Sequence, residues 1–94
     1  MLSAIVLLTT ERDKTNTVAE ALADTEGVSE VYSVAGRFDL AVILRVSDND
    51  QMAKVVTEGI RSIPGISSSE SLIAFRVYSK HDLERMFSIG MENP

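Results

Sequence analysis

Val34-Ala35-Gly36-Arg37-Phe38-Asp39-Leu40 joins two apolar runs, and its reading decides the fold. Before it, Val28 to Ala35 alternates, with Val31 facing one way and Val28, Tyr32 and Val34 the other, the pattern of a half-buried strand. After it, Leu40-Ala41-Val42-Ile43-Leu44-Arg45-Val46 is apolar on both faces. Gly36 breaks the first run, and the second follows so closely that the two strands must form a hairpin or something near it.

Working outward, Leu2 to Leu8 is apolar on both alternating faces except for Ser3, as expected of an inner strand covered on both sides. Polar Thr9 to Asp13 supplies helix-start chemistry, with Glu11 and Asp13 as capping acids. Val18, Ala19, Leu22 and Ala23 then recur at helical spacing between Lys14 and Thr25, and Gly27 ends that helix. Downstream of the hairpin, Asp48 with Gln51 resembles a capping box, and Met52, Val55, Val56, Gly59, Ile60 and Ile63 make the apolar stripe of a second helix. Pro64-Gly65 terminates it. Ser67-Ser68-Ser69 leads into a fourth strand, Ser71 to Tyr78. Beyond Lys80, Leu83, Met86 and Phe87 are spaced for one short amphipathic helical piece. The expected organisation is a domain over residues 1–80 and a short C-terminal helical extension over 81–94.

The order repeats. Strand starts Leu2 and Leu40 lie 38 residues apart, as do the helix-ending pairs Gly27-Val28 and Gly65-Ile66. Two βαβ units in tandem, with right-handed crossovers, interleave into an α+β fold of ferredoxin-like βαββαβ topology: a four-stranded antiparallel sheet with two helices on one face. Two short helices cannot cover both faces of strands one and three. The bare apolar face therefore predicts a face-to-face dimer, a dimeric α+β barrel, burying ~800 Å² per subunit.

With 94 residues the chain is one domain, and a charge of -5 argues against direct nucleic-acid binding, since nine basic residues are scattered among fourteen acids. A neutral or zwitterionic ligand, or a protein partner, fits better. There is no cysteine, hence no disulfide framework, thiol nucleophile or cysteine zinc site, which suits a cytoplasmic location. The run Leu2–Leu8 is too short for a membrane span and lacks the basic flank of a signal peptide.

Within the turn, glycine can serve the backbone and aspartate can bond nearby N–H groups to close a loop. The functional reading is a cup in which freed N–H groups and the Asp39 carboxylate hold a small polar ligand, aspartate receiving its ammonium. Ser69 and Ser71, two apart, point to one side and could donate to a carboxylate; the bland reading is a solvated strand end. His81 is the only histidine and has no neighbouring cysteine, so neither a metal site nor a histidine relay is expected, and no catalytic residue or cofactor is assigned.

These motifs, in this order, resemble the effector-binding (RAM) domain of the Lrp/AsnC transcription regulators. The carriers are Gly27-Val28, the stretch Val34 to Leu40, and Ile63-Pro64-Gly65-Ile66 followed by Ser69-Glu70-Ser71. In that family the hairpin commonly reads V-[TSA]-G-x-[YFH]-D and the approach to the last strand P-G-V-x-x-T-x-T. The resemblance implies dimers formed through the sheet faces, assembly to higher oligomers such as an octamer, and amino-acid effectors bound between dimers. One wall would be Val34, Gly36, Arg37, Phe38 and Asp39, with Asp39 near the effector's amino group. Ser69 and Ser71 stand at the family's threonine positions and would reach in from a neighbouring dimer, keeping the hydroxyl and losing the methyl. Strand one begins at Leu2 with no helix-turn-helix before it. The expectation is thus a stand-alone sensor, acting by oligomerisation and able to mix with full-length Lrp/AsnC regulators or to serve some other partner.

Two rival readings share the topology. An enzyme of the dimeric α+β barrel type, such as a cofactor-free monooxygenase or isomerase, would need His81 in a closed pocket beside a carboxylate. A ligand-free oligomerisation module would need the turn for the hairpin alone.

Overall fold

A computed structural model describes residues 1–78 and residue 80. The expected C-terminal helical piece, with His81, Leu83, Met86 and Phe87, lies outside the described residues.

Alternation in the two apolar runs builds the centre of the sheet. Strands β1 (Leu2–Thr10) and β3 (Leu40–Val46) pair antiparallel from Leu2 opposite Val46 to Leu8 opposite Leu40. Period-two geometry sends Ala4, Val6, Leu8, Leu40, Val42, Leu44 and Val46 to one face, where all are buried. Helix α1 (Thr15–Ala23) lays Val18 and Leu22 on that face. Helix α2 (Asn49–Lys54) adds Met52 and continues into a π-helical stretch, Val55–Ile60, that adds Val55 and Ile60. With β2 (Val28–Ser33) and β4 (Ile66–Ile73) at the edges, the strand order is β2-β3-β1-β4, the four-stranded antiparallel sheet with two helices that the tandem units predict.

The turns between elements are equally local in origin. Asp48 caps α2 by accepting the Gln51 N–H at 2.8 Å. Gln51 answers one residue further back than a standard capping box, its Oε1 accepting both the backbone N–H and the hydroxyl of Ser47 at 2.8 Å. Gly27, after α1, has φ +92, and a Cβ there would stand 2.6 Å from Val55 Cγ2, so only glycine lets β2 begin so close to the second helix.

Four expectations need correction. Glu11 and Asp13 do not cap α1: the cap position is Lys14, with no side-chain hydrogen bond, and Asp13 sits at φ 66 in the left-handed region. Instead β1 runs two residues past Leu8, because Thr9 and Thr10 still pair with Ser68 and Ile66. The fourth strand is Ile66–Ile73 rather than Ser71–Tyr78; the serine run pairs with β1 through its backbone, which needs no apolar side chains at a sheet edge. Val28 faces the helices with Val31, not the open side with Tyr32, because a bulge between Val28 and Glu30 sets two residues against one and reverses the alternation.

Among the described residues, no element covers the second face of the sheet. Ile5 (40% exposed) lies between Ile43 on β3 and Leu72 (46%) on β4, and Tyr32 (49%) lies opposite Ala41. Among the described residues, strands apolar on both sides are thus fully buried on one side only.

Candidate functional site

The hairpin between β2 and β3 is closed by two backbone bonds: Val34 N–H donates to Asp39 O at 3.1 Å, and Asp39 N–H donates across to Leu8 O of β1 at 2.8 Å. Gly36 has φ +135 and nothing within 4 Å of where a Cβ would stand, so the tip projects into open space. Val34, Gly36 and Arg37 are exposed, while Phe38 and Asp39 are half-buried. The Arg37 guanidinium lies 5.7 Å from the Phe38 ring centroid, a cation–π geometry that shields one face of the ring.

Asp39 has a structural partner that a local reading misses. Its Oδ2 accepts the Thr10 backbone N–H at 2.8 Å and lies 3.4 Å from the Thr10 hydroxyl. That hydroxyl also pairs with Thr15 Oγ1 at 2.6 Å. One carboxylate oxygen thereby fastens the hairpin to the end of β1 and, through Thr15, to the start of α1. The only sequence hint was the polar pair Thr9-Thr10 ending an apolar strand.

Ser69 and Ser71 stand on β4 opposite Leu8 and Val6, on one side of the strand as their spacing requires, and both are exposed. Leu8 also pairs with Leu40, the residue after Asp39, so the hairpin base and Ser69 occupy one end of the sheet, two strands and about 10 Å apart. Beside them the Thr9 and Ser68 hydroxyls pair across β1 and β4. Within one chain, β1 separates the hairpin from the two serines. Among the described residues no group of three or more His, Cys, Asp or Glu side chains could hold a metal, and no helix is long and apolar enough to cross a membrane.

Residues 3–83 match the family model described as the Lrp/AsnC ligand binding domain. An uncharacterised HTH-type transcriptional regulator of Pyrococcus furiosus is 34% identical over 58 residues, 62% of this chain and 39% of that protein. An HTH-type transcriptional regulator of Pyrococcus abyssi is 26% identical over 77 residues, 82% of this chain and 50% of that protein. The chain thus spans half or less of these regulators' length. A Thermus thermophilus crystal structure is 39% identical, with a TM-score of 0.80 over 85% of this chain and the whole of that one. AsnC of E. coli, at 18% identity, shares the fold with a TM-score of 0.77, covering 83% of this chain and 53% of that one. So does a Neisseria meningitidis transcriptional regulator solved as a complex with L-Met, at 14% identity and a TM-score of 0.73, over 83% and 52%. The named relatives are transcription regulators, not enzymes, and the chain belongs to the Lrp/AsnC ligand-binding-domain family.

Proposed function

We propose that this domain senses a small effector, an amino acid, at a site shared between subunits, and acts through its assembly in transcriptional or metabolic regulation in the cytoplasm. The observation that carries the reading is the hairpin itself. It is fastened to the sheet at Asp39 and open at Gly36, so that one wall is held in place with none of the described residues packed against its tip. Val34, Gly36, Arg37, Phe38 and Asp39 form this wall. Ser69 and Ser71 of a neighbouring dimer complete it, their hydroxyls toward the effector carboxylate and Asp39 toward its ammonium. The Neisseria regulator of like fold, crystallised with L-Met, supports an amino acid as the class.

The exposed apolar face around Ile5, Tyr32 and Leu72 supports the dimer. Dimers then associate further, to an octamer in the fullest form, and the same face permits mixing with full-length regulators. A chain carrying a net charge of -5 is not itself the DNA-reading part of such an assembly.

The test is a panel of the common amino acids examined by thermal shift and calorimetry, with light scattering to follow the oligomer. An effector that binds only the native assembly raises its melting temperature by mass action. A flat response across the panel would defeat the proposal.

A further inference from the structure

On the helical side of the molecule, away from the hairpin, a cleft of about 290 Å³ lies between the turn that follows α1 and the outer side of α2 and its π-helical continuation. Glu26 stands on the turn; Gln51, Lys54, Val55, Glu58 and Gly59 stand on the helix. Residues 51, 55 and 59, and likewise 54 and 58, are four apart and so share one side. Gly59 has no side chain to fill the space, and a Cβ there would already stand 3.1 Å from Thr25 Cγ2. π-helical insertions of this kind occur frequently at functional sites.

The chemistry of the walls can be read group by group. The Thr25 hydroxyl is spent on Ala21 O at 2.8 Å. Gln51 Oε1 accepts two bonds from Ser47, which fixes the amide so that its NH₂ is the end left over. Among the described residues the groups left to a ligand are therefore two carboxylates, Glu26 and Glu58, one ammonium, Lys54, and the Gln51 NH₂, above an apolar floor at Val55. A bare metal ion is disfavoured by Lys54. A neutral amino acid would satisfy one carboxylate and leave the other facing it in an already acidic chain.

We propose that this cleft is a second small-molecule site and that it takes a basic α-amino acid, such as lysine or arginine. The ligand's two cationic groups meet Glu26 and Glu58, its carboxylate meets Lys54 and the Gln51 NH₂, and its methylene chain lies over Val55. The volume is at the lower end for ligand pockets, as suits a ligand of this size. Nothing in this assignment depends on the hairpin.

The experiment is calorimetric titration of the intact chain with L-lysine and L-arginine. L-Leucine controls for the missing side-chain cation, and cadaverine and agmatine for the missing carboxylate. A ¹H–¹⁵N spectrum follows Gly59 and Gly36 in parallel. Saturable binding of a basic amino acid is expected, with the Gly59 amide moving and Gly36 still. Affinity should fall on the order of tenfold in each of Glu26→Gln, Glu58→Gln and Lys54→Gln, as for loss of one charge-assisted hydrogen bond, and for the amines that lack a carboxylate. Three results would each overturn the proposal: no saturable binding at millimolar ligand, full affinity in a Glu26→Gln/Glu58→Gln double variant, or a shift confined to Gly36 and lost with Asp39→Asn. The last of these would leave the hairpin reading standing.

Discussion

Asp39 Oδ2 and the backbone N–H of Thr10, 29 residues apart in sequence, meet at 2.8 Å in a half-buried position. The carboxylate proposed to receive an effector's ammonium is therefore also the fastener that holds its loop to the sheet.

That double duty makes alanine a poor probe at this position. Asp39→Ala leaves the Thr10 N–H without its acceptor and should cost about 1–3 kcal/mol of stability, measured by urea unfolding. Asp39→Asn keeps an oxygen for Thr10 and should stay within about 1 kcal/mol of the parent. The two roles separate in the asparagine variant. It should fold and assemble normally, yet bind an amino-acid effector at least tenfold more weakly, because an amide does not pair with an ammonium as a carboxylate does. Undiminished binding in Asp39→Asn would reduce Asp39 to a structural residue.

Gly27 and Gly36 should respond differently to alanine. At Gly27, positive φ combines with a 2.6 Å approach to Val55 Cγ2, so Gly27→Ala should cost roughly 2–5 kcal/mol. At Gly36 nothing lies within 4 Å, and Gly36→Ala should cost only the backbone strain, about 1–2 kcal/mol. Urea midpoints of the two variants should therefore be well separated. Equal losses would show that close packing at Val55 is not what requires Gly27.

How much of this was legible follows from the range of each interaction. Strand β3 is legible to the residue because Leu40–Val46 is apolar at every position but Arg45 and is bounded by Asp39 and Ser47. The two-unit topology was legible from spacing alone. β4 was displaced because residues 73–78 carry the strand-forming side chains, whereas Ser67–Ser71 are held by pairing with β1, which only the assembled sheet supplies. The face of Val28 is not legible in the sequence, because one bulged residue inverts the alternation before it. The hairpin was legible as a candidate site from Gly36 and Asp39, but the Thr10 partner was not, since no local pattern joins residues 29 apart. The cleft at Glu26 and Glu58 left no mark for the same reason.

The uncovered face gives a prediction about assembly. Ile5 is central, with Ile43 and Leu72 as cross-strand neighbours, and its side chain projects away from the helices. Ile5→Asp should leave the helix-side core untouched and the circular dichroism unchanged. It should also shift the proposed dimer to a monomer, by light scattering, since an unpaired carboxylate would be desolvated at that interface. A dimer that survives this change would place the subunit contact elsewhere.

The same face carries a titration that reports on its polar rim. The Tyr32 hydroxyl donates to the Glu30 carboxylate two residues away. That hydrogen bond, and secondarily the carboxylate's charge, hold the phenol's pKa above its ordinary value; desolvation adds to this, and Arg45 opposes it. A phenol whose pKa is raised by folding favours the folded state while it keeps its proton. The contribution is therefore complete below the unfolded value near pH 10 and is lost as pH rises through the higher folded value. In an ultraviolet titration of phenolate absorbance, Glu30→Gln should move one of the chain's two tyrosines to lower pH and leave the other where it was. The variant should also lose less stability than the parent between pH 10 and the parent's raised pKa. If both tyrosines titrate identically in parent and variant, the Tyr32–Glu30 pair does not form in solution, and the rim offers no polar anchor beside the apolar face.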